Sequence, residues 1–289
     1  MRVILVNLLA LVVSMCGVVT NASADSVSVI TNFKELRGYY FPLPMNCGLL
    51  AGNNSSGLII AGGHKNRTIK RIESYASGYI ADISDPGIPV KFLAGENQSG
   101  PIVVGEDGYT IKYMDSYAAN VWKSLPRPPF NIRGIVGNNK TGIVITNGEE
   151  LAYLTSYRGT WVRKQVFKDA GAGEIHGIFG NNKTGISIVT RDSVLYVEKY
   201  TKGIVWKTFL QTRDGNLPPS IFSGNPIDGL IAVAQDTWFA GSNIYSYDGY
   251  EGGRFGPVHN HQNIYFPGGR LNLVGDPRNG IAFCGDTSF

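Results

Sequence analysis

The heptapeptide GNNKTGI occurs twice, at residues 137–143 and 180–186, and four further segments share its layout. These are LLAGNNSSGLIIAG from Leu49, FLAGENQSGPIVVG from Phe92, IFSGNPIDGLIAVA from Ile221 and NLVGDPRNGIAFCG from Asn272. Each reads as a short apolar strand, a glycine, four turn residues, a second glycine and another apolar strand. The glycine pairs are Gly52/Gly57, Gly95/Gly100, Gly137/Gly142, Gly180/Gly185, Gly224/Gly229 and Gly275/Gly280, always five apart. A hairpin turn that needs positive φ accepts Gly and Asn only at fixed positions, and a change of length would slip the register and turn the apolar face outward. The spacing is therefore a constraint on the whole fold.

The first glycines follow one another at intervals of 43, 42, 43, 44 and 51 residues. After each hairpin comes a third strand with a recurring end, seen in RIESY (71–75), YMDSY (113–117), YLTSY (153–157) and YVEKY (196–200). A fourth strand follows, marked by an aromatic at Tyr79, Trp122, Trp161 and Trp206. Four short strands in a period of about 40 to 50 residues make a β-propeller blade. No helical period is present beyond the first residues.

The stretch after Gly275 and the stretch from Asp25 to Gly52 together amount to one period. The last unit thus takes its third and fourth strands from the N-terminal side, around SVSVITNF (26–33) and RGYYFPLP (37–44). The expected fold is all-β: a six-bladed β-propeller of four-stranded blades, its ring closed by N-terminal strands that complete the last blade. Over residues 25–289 the chain resembles the six-bladed β-propeller superfamily through these repeats. It lacks the sialidase-type S-x-D-x-G-x-x-W turn, the WD dipeptide and the kelch glycine pair. The resemblance implies a ligand or reaction site on one face, near the central channel.

Residues 1–24 have a basic Arg2, an apolar run from Val3 to Val19 and the small-residue ending Ala22-Ser23-Ala24. That is the layout of a secretory signal peptide cleaved after Ala24, and an uncleaved anchor is the alternative. Cys16 is poorly placed for lipid attachment because Met15 precedes it. The mature chain is expected to be secreted or periplasmic, with no membrane insertion. Cys47 and Cys284 then remain as the cysteines, one near each end, and in an oxidising compartment they are expected to pair. Their bridge would staple the first blade to the last. N-x-S/T sequons such as Asn54-Ser55-Ser56, Asn97-Gln98-Ser99, Asn139-Lys140-Thr141 and Asn182-Lys183-Thr184 are a by-product of turn chemistry.

A formal net charge of +4, with charged residues at 17%, is too low for a nucleic-acid binder. Four residues before the first glycine, at the start of each innermost strand, stand Gly48, Lys91, Arg133, His176, Ser220 and Leu271. Lys91, Arg133 and His176 fall in three consecutive units and suggest a basic funnel for a carboxylate, sulfate or phosphate group. Alternatively they pair with Glu106, Asp107, Glu149, Glu150 and Asp192 of the loops between second and third strands. The fifth unit is longer, with 16 residues from Gly229 to Tyr245 against 11 from Gly142 to Tyr153. Its extra segment carries Trp238, either an aromatic platform for a carbohydrate or protein, or a plug folded back on the blade.

Other patterns carry less. His259-Asn260-His261 has two imidazoles on one side of a strand but no third ligand at a recognisable offset, so no metal or other cofactor is expected. Glu149 with Glu150, or either with Glu106 or Asp107, could supply the two carboxylates of a glycosidase, whose separation a sequence does not give. Tyr75, Tyr117, Tyr157 and Tyr200 suit packing between blades. The expected function is an exported binding module for a glycan or protein ligand with anionic groups, acting through Lys91, Arg133, His176 and Trp238. The alternatives are a carbohydrate-active hydrolase or lyase on the same face, and a ligand-free interaction scaffold.

Overall fold

A computed structural model of the chain describes residues 26–32, 37–73, 79–115, 120–155, 157–164, 174–181, 183–190, 193–197, 207–211, 220–235, 242–247, 250–251, 254–255, 258–261 and 270–286. Residues 1–24, expected to be a signal peptide, and Tyr75, Tyr117, Tyr200, Asp192, Trp206 and Trp238 lie outside the described residues.

Two strands come first, β1 (Ser26–Asn32) and β2 (Arg37–Pro42). The first full unit is β3 (Cys47–Asn53), β4 (Gly57–Gly62), β5 (Thr68–Ile72) and β6 (Ile80–Ile83), one antiparallel sheet in that order. The pattern repeats in β7 (Val90–Glu96), β8 (Gly100–Gly105), β9 (Ile111–Tyr113) and β10 (Lys123–Ser124). It repeats again in β11 (Gly134–Asn138), β12 (Gly142–Thr146), β13 (Leu151–Leu154) and β14 (Val162–Lys164). The fourth sheet is β15 (Ile175–Asn181), β16 (Gly185–Thr190), β17 (Ser193–Val197) and β18 (Lys207–Gln211).

The fifth unit is interrupted. β19 (Ser220–Asn225), β20 (Gly229–Gln235) and β21 (Ser242–Tyr247) are followed by a separate hairpin of β22 (Tyr250–Glu251) and β23 (Arg254–Phe255). Only then does β24 (Val258–His261) complete the sheet. Last come β25 (Arg270–Asp276) and β26 (Gly280–Asp286), which join the two N-terminal strands in the order β2-β1-β26-β25. The sole helical turn among the described residues is a short 3-10 segment, His64–Asn66.

The turn chemistry accounts for the repeat. Asn138 pairs with Gly142 across the hairpin, leaving three loop residues. Asn138 Oδ1 accepts the backbone N–H groups of Lys140 at 2.8 Å and Thr141 at 3.0 Å, and so fixes the turn. Gly142, with φ 85°, takes the left-handed position that closes a three-residue hairpin. Gly137 is under a separate constraint. Its φ is 94°, and a Cβ there would lie 2.0 Å from the carbonyl oxygen of Gly142. Gly137→Ala should therefore cost at least about 2 kcal/mol, because both the dihedral and the opposing backbone resist it. A urea midpoint unchanged from the parent would contradict this.

The second strands β4, β8 and β16 are buried along their full length, as is β12. Neighbouring sheets cover both of their faces, which is why their sequences are continuous apolar runs and do not alternate. The core is accordingly a series of layers between adjacent sheets. Ile102, Ile111, Ile132, Ile143 and Leu154 fill one such layer. Tyr157 is buried in the same layer with its ring centroid 4.0 Å from that of Tyr113, the packing role expected of it.

Two of the fourth-strand aromatics, Trp122 and Trp161, stand just before their strands and tie them to the preceding sheet. Trp122 Nε1 donates to the Ser84 carbonyl at 2.8 Å, and Trp161 Nε1 to that of Pro126 at 2.9 Å. Tyr79, at the same position in the first unit, is 61% exposed.

In the fifth unit the register corrects the sequence alignment. Tyr153 and Tyr196 pair with the residue two beyond the second glycine, Val144 and Ser187. Its counterpart is Ser246, opposite Ile231, and Tyr245 lies opposite Ala232. The longer loop between β20 and β21 shifts the tyrosine by one position, so its match by residue type was accidental.

Candidate functional site

The first strands of the sheets contact one another in the sequence β3, β7, β11, β15, β19, β25 and back to β3. Each is the edge of its own sheet. An exposed edge would offer unpaired backbone groups to other chains, and here the edges turn toward one another. Cross-links between units hold them. Ser223 Oγ donates to the Gly275 carbonyl at 2.7 Å, Asn272 Nδ2 to that of Gly48 at 3.0 Å, and the Gln98 N–H to that of Ser56 at 3.2 Å.

At the starts of these strands, Lys91 is the second residue of β7, Arg133 directly precedes β11 and His176 is the second residue of β15. All three are exposed, on three strands that are neighbours. Arg133 does have an acidic partner, but it comes from a different segment than expected. Its Nη1 lies 2.8 Å from Glu174 Oε1, and both side chains are more than half exposed. The pair sits over Gly148, whose carbonyl accepts the Ile175 N–H at 2.7 Å and anchors β15. Lys91 Nζ stands 5.3 Å from the ring centroid of Phe92.

Of the loop carboxylates considered as partners, Asp107 is committed to its own turn. It accepts the N–H groups of Tyr109 and Thr110 at 3.0 and 2.9 Å, and the Thr110 hydroxyl at 2.6 Å. Burial would raise its pKa, but these hydrogen bonds, with Arg127 nearby, hold the carboxyl below its ordinary value. In the corresponding loop of the third sheet, Asn147 Oδ1 accepts the N–H groups of Glu149 and Glu150 at 2.9 and 2.7 Å. His259 and His261 both fall in β24, paired with Ser246 and Ile244. Among the described residues, no three potential metal ligands converge.

The opposite ends of the same strands enclose a cavity of about 290 Å3. Its polar wall is the residue after each first glycine: Asn53, Glu96, Asn138, Asn181, Asn225 and Asp276. Farther along, Leu50, Leu93, Val136, Phe179 and Val274 make the wall mostly apolar, with Ser223 at the same level in the fifth unit. Lys91, Arg133 and His176 do not line it.

Asp276 is the most constrained member, 4% exposed. It accepts the N–H groups of Arg278 and Asn279 at 3.0 and 2.8 Å, and Asn279 Nδ2 at 3.1 Å. Burial pushes its carboxyl up to about 6. Hydrogen bonds from Asn279 and Arg278 work against that rise, and the charge of Asp228 adds to it. The sequence displayed this wall openly, but as turn residues on the side away from the expected site.

No protein-family model matches the chain, and no curated protein matches it in sequence. Solved structures are similar to it in fold. A streptogramin B lyase superposes with a TM-score of 0.55 over 92% of this chain and 83% of its own, at 14% identity. The WD40 repeats of RRP9 give a TM-score of 0.55 over 91% and 88%, at 12% identity. A protein of unknown function from Bacteroides thetaiotaomicron gives 0.55 over 89% and 75%, at 9% identity. The chain thus has a β-propeller-like, all-β fold.

Proposed function

We propose that this fold serves as an exported binding module, a single six-bladed domain over residues 25–289 whose ring is closed by β1 and β2 in the last blade. Its ligand is a glycan or protein surface bearing anionic groups. It docks where Lys91, Arg133 and His176 are exposed, and Trp238 of the fifth unit adds an aromatic contact. The observation that carries this is the placement of three basic side chains in equivalent positions on three adjacent strands, all open to solvent. Convergent basic groups attract an anion more strongly than any one of them alone. The Arg133–Glu174 pair is too exposed to compete strongly with a ligand, since such pairs contribute about 0 to 1 kcal/mol.

Export is supported by the leader-like residues 1–24 and by a bond between Cys47 and Cys284, which an oxidising compartment would maintain. Among the described residues no helix is long and apolar enough to cross a membrane.

The test is a glycan array and a pull-down, run with the parent and a K91A/R133A/H176A variant. The three sites are exposed, so the variant should fold with little change in stability, within about 1 kcal/mol. Acidic glycans or an acidic protein partner should bind the parent and lose at least about tenfold in the variant. Equal binding by parent and variant would move the site elsewhere. A folded parent that retains neither class of ligand would end the binding-module interpretation.

A further inference from the structure

Each of the six innermost hairpins closes through a three-residue turn, and the middle residue of every turn is exposed. In the order in which the first strands touch, these residues are Ser55, Gln98, Lys140, Lys183, Ile227 and Arg278. The middle residue lends the turn only its backbone N–H. Those of Lys140, Lys183, Ile227 and Arg278 donate to the side chain two positions earlier at 2.8, 2.9, 3.0 and 3.0 Å. Turn chemistry therefore leaves the side chain at this position unconstrained. None of the six is acidic.

Four of them follow one another over the third to sixth units as two lysines, an isoleucine and an arginine. Arg158 adds a further exposed cation on the same side. Leu154 pairs with Ile143, next to Gly142, so the loop that follows β13 leaves the sheet at its turn end. Lys140, Lys183 and Arg158 have no acidic partner among the described residues. Arg278 Nη1 lies 3.3 Å from Asp228 Oδ1 and offsets the carboxylate that adjoins Ile227. Ile227 is 52% exposed at the tip of a fixed turn, at a position that is polar in the other five hairpins. Cations alone would suit any acidic partner. An aliphatic tip among them favours a surface whose hydrocarbon lies just beneath its anionic groups, which is a lipid surface.

We propose that the turn side of the third to sixth units rests on an anionic lipid surface without crossing it. Lys140, Arg158, Lys183 and Arg278 lie against the headgroup phosphates, and Ile227 enters the boundary between headgroups and acyl chains. This side is at the other end of the strands from Lys91, Arg133 and His176, so the contact stands or falls independently of the binding face above.

The experiment is co-sedimentation of the folded chain with phosphatidylcholine vesicles that contain or lack phosphatidylglycerol, at one ionic strength. The anionic vesicles should bind at least about tenfold more strongly, and added salt should weaken them. Gln98 already occupies this turn position in the second unit, so K140Q/K183Q and I227Q variants should keep their turns. K140Q/K183Q should lose at least about tenfold on the anionic vesicles, and I227Q about threefold or more. The K91A/R133A/H176A variant should bind them as the parent does. Soluble poly-glutamate is the competing probe. If it binds as tightly as the anionic vesicles and I227Q binds both like the parent, the surface belongs to an acidic protein and the lipid contact is overturned. Equal binding to both kinds of vesicle, or a K140Q/K183Q variant that binds like the parent, overturns it as well.

Discussion

Replacing both Cys47 and Cys284 with alanine should lower the unfolding free energy by about 5 kcal/mol, the chain-entropy value for a loop of this length. The two cysteines are 237 residues apart, and their bond connects β26 of the last sheet to β3 of the first. It therefore restricts nearly the whole unfolded chain. Both residues are almost fully buried, at 1% and 0% exposure, among Val27, Val29, Phe41, Leu43 and Leu58. Alanine is the suitable replacement because a serine hydroxyl in that layer would add a desolvation penalty of its own. Urea denaturation with and without dithiothreitol checks the claim. The reductant should shift the parent toward the variant and leave the variant unmoved. A parent midpoint indifferent to reductant would show that the bond contributes nothing measurable.

The second large effect has the opposite sign. Asp276 has a folded pKa of about 6 against an ordinary 3.8, with burial the main cause. The folded state thus binds this proton more tightly than the unfolded state. The corresponding stability is fully present below about pH 4 and is lost as pH rises through about 6. Above that, the buried charge costs about 3 kcal/mol. Asp276→Asn removes the charge and keeps an Oδ1 that can accept the N–H groups of Arg278 and Asn279, as Asn225 does in the neighbouring turn. Near pH 7.5 the variant should be more stable than the parent by about 3 kcal/mol, or roughly 6 to 12 °C in Tm. Near pH 4 the two should coincide. A gap that persists at low pH would point to a cause other than this ionisation.

The innermost hairpins were legible because a single turn sets their length, their glycine positions and their register at once. The pairing of Asn138 with Gly142 follows from the same rule as that of Asp276 with Gly280. The outer strands follow no such rule. β10 consists of Lys123–Ser124 alone, and no periodicity can be detected in two residues. Tyr245 misled for a related reason, since pairing sets register and a shared residue type does not. The partner of Arg133 was hidden differently. Glu174 is 41 positions away and belongs to neither loop that the alignment brought close. The cavity wall was hidden in plain view: turn chemistry accounts for Asn138, Asn181, Asn225 and Asp276 alike, so the sequence marked these residues as turns and not as a wall.

The sheet order β2-β1-β26-β25 also has a temporal side. On the ribosome, β1 and β2 are made first, yet the strand that β1 pairs with, Gly280–Asp286, is made among the last. Five sheets can assemble in order while the opening pair waits with one edge unfilled. The final sheet and the Cys47–Cys284 bond both depend on the same late segment, so a chain stalled before it carries a free thiol and an unpaired strand edge together. That order leaves the last sheet open until Gly280–Asp286 has been made.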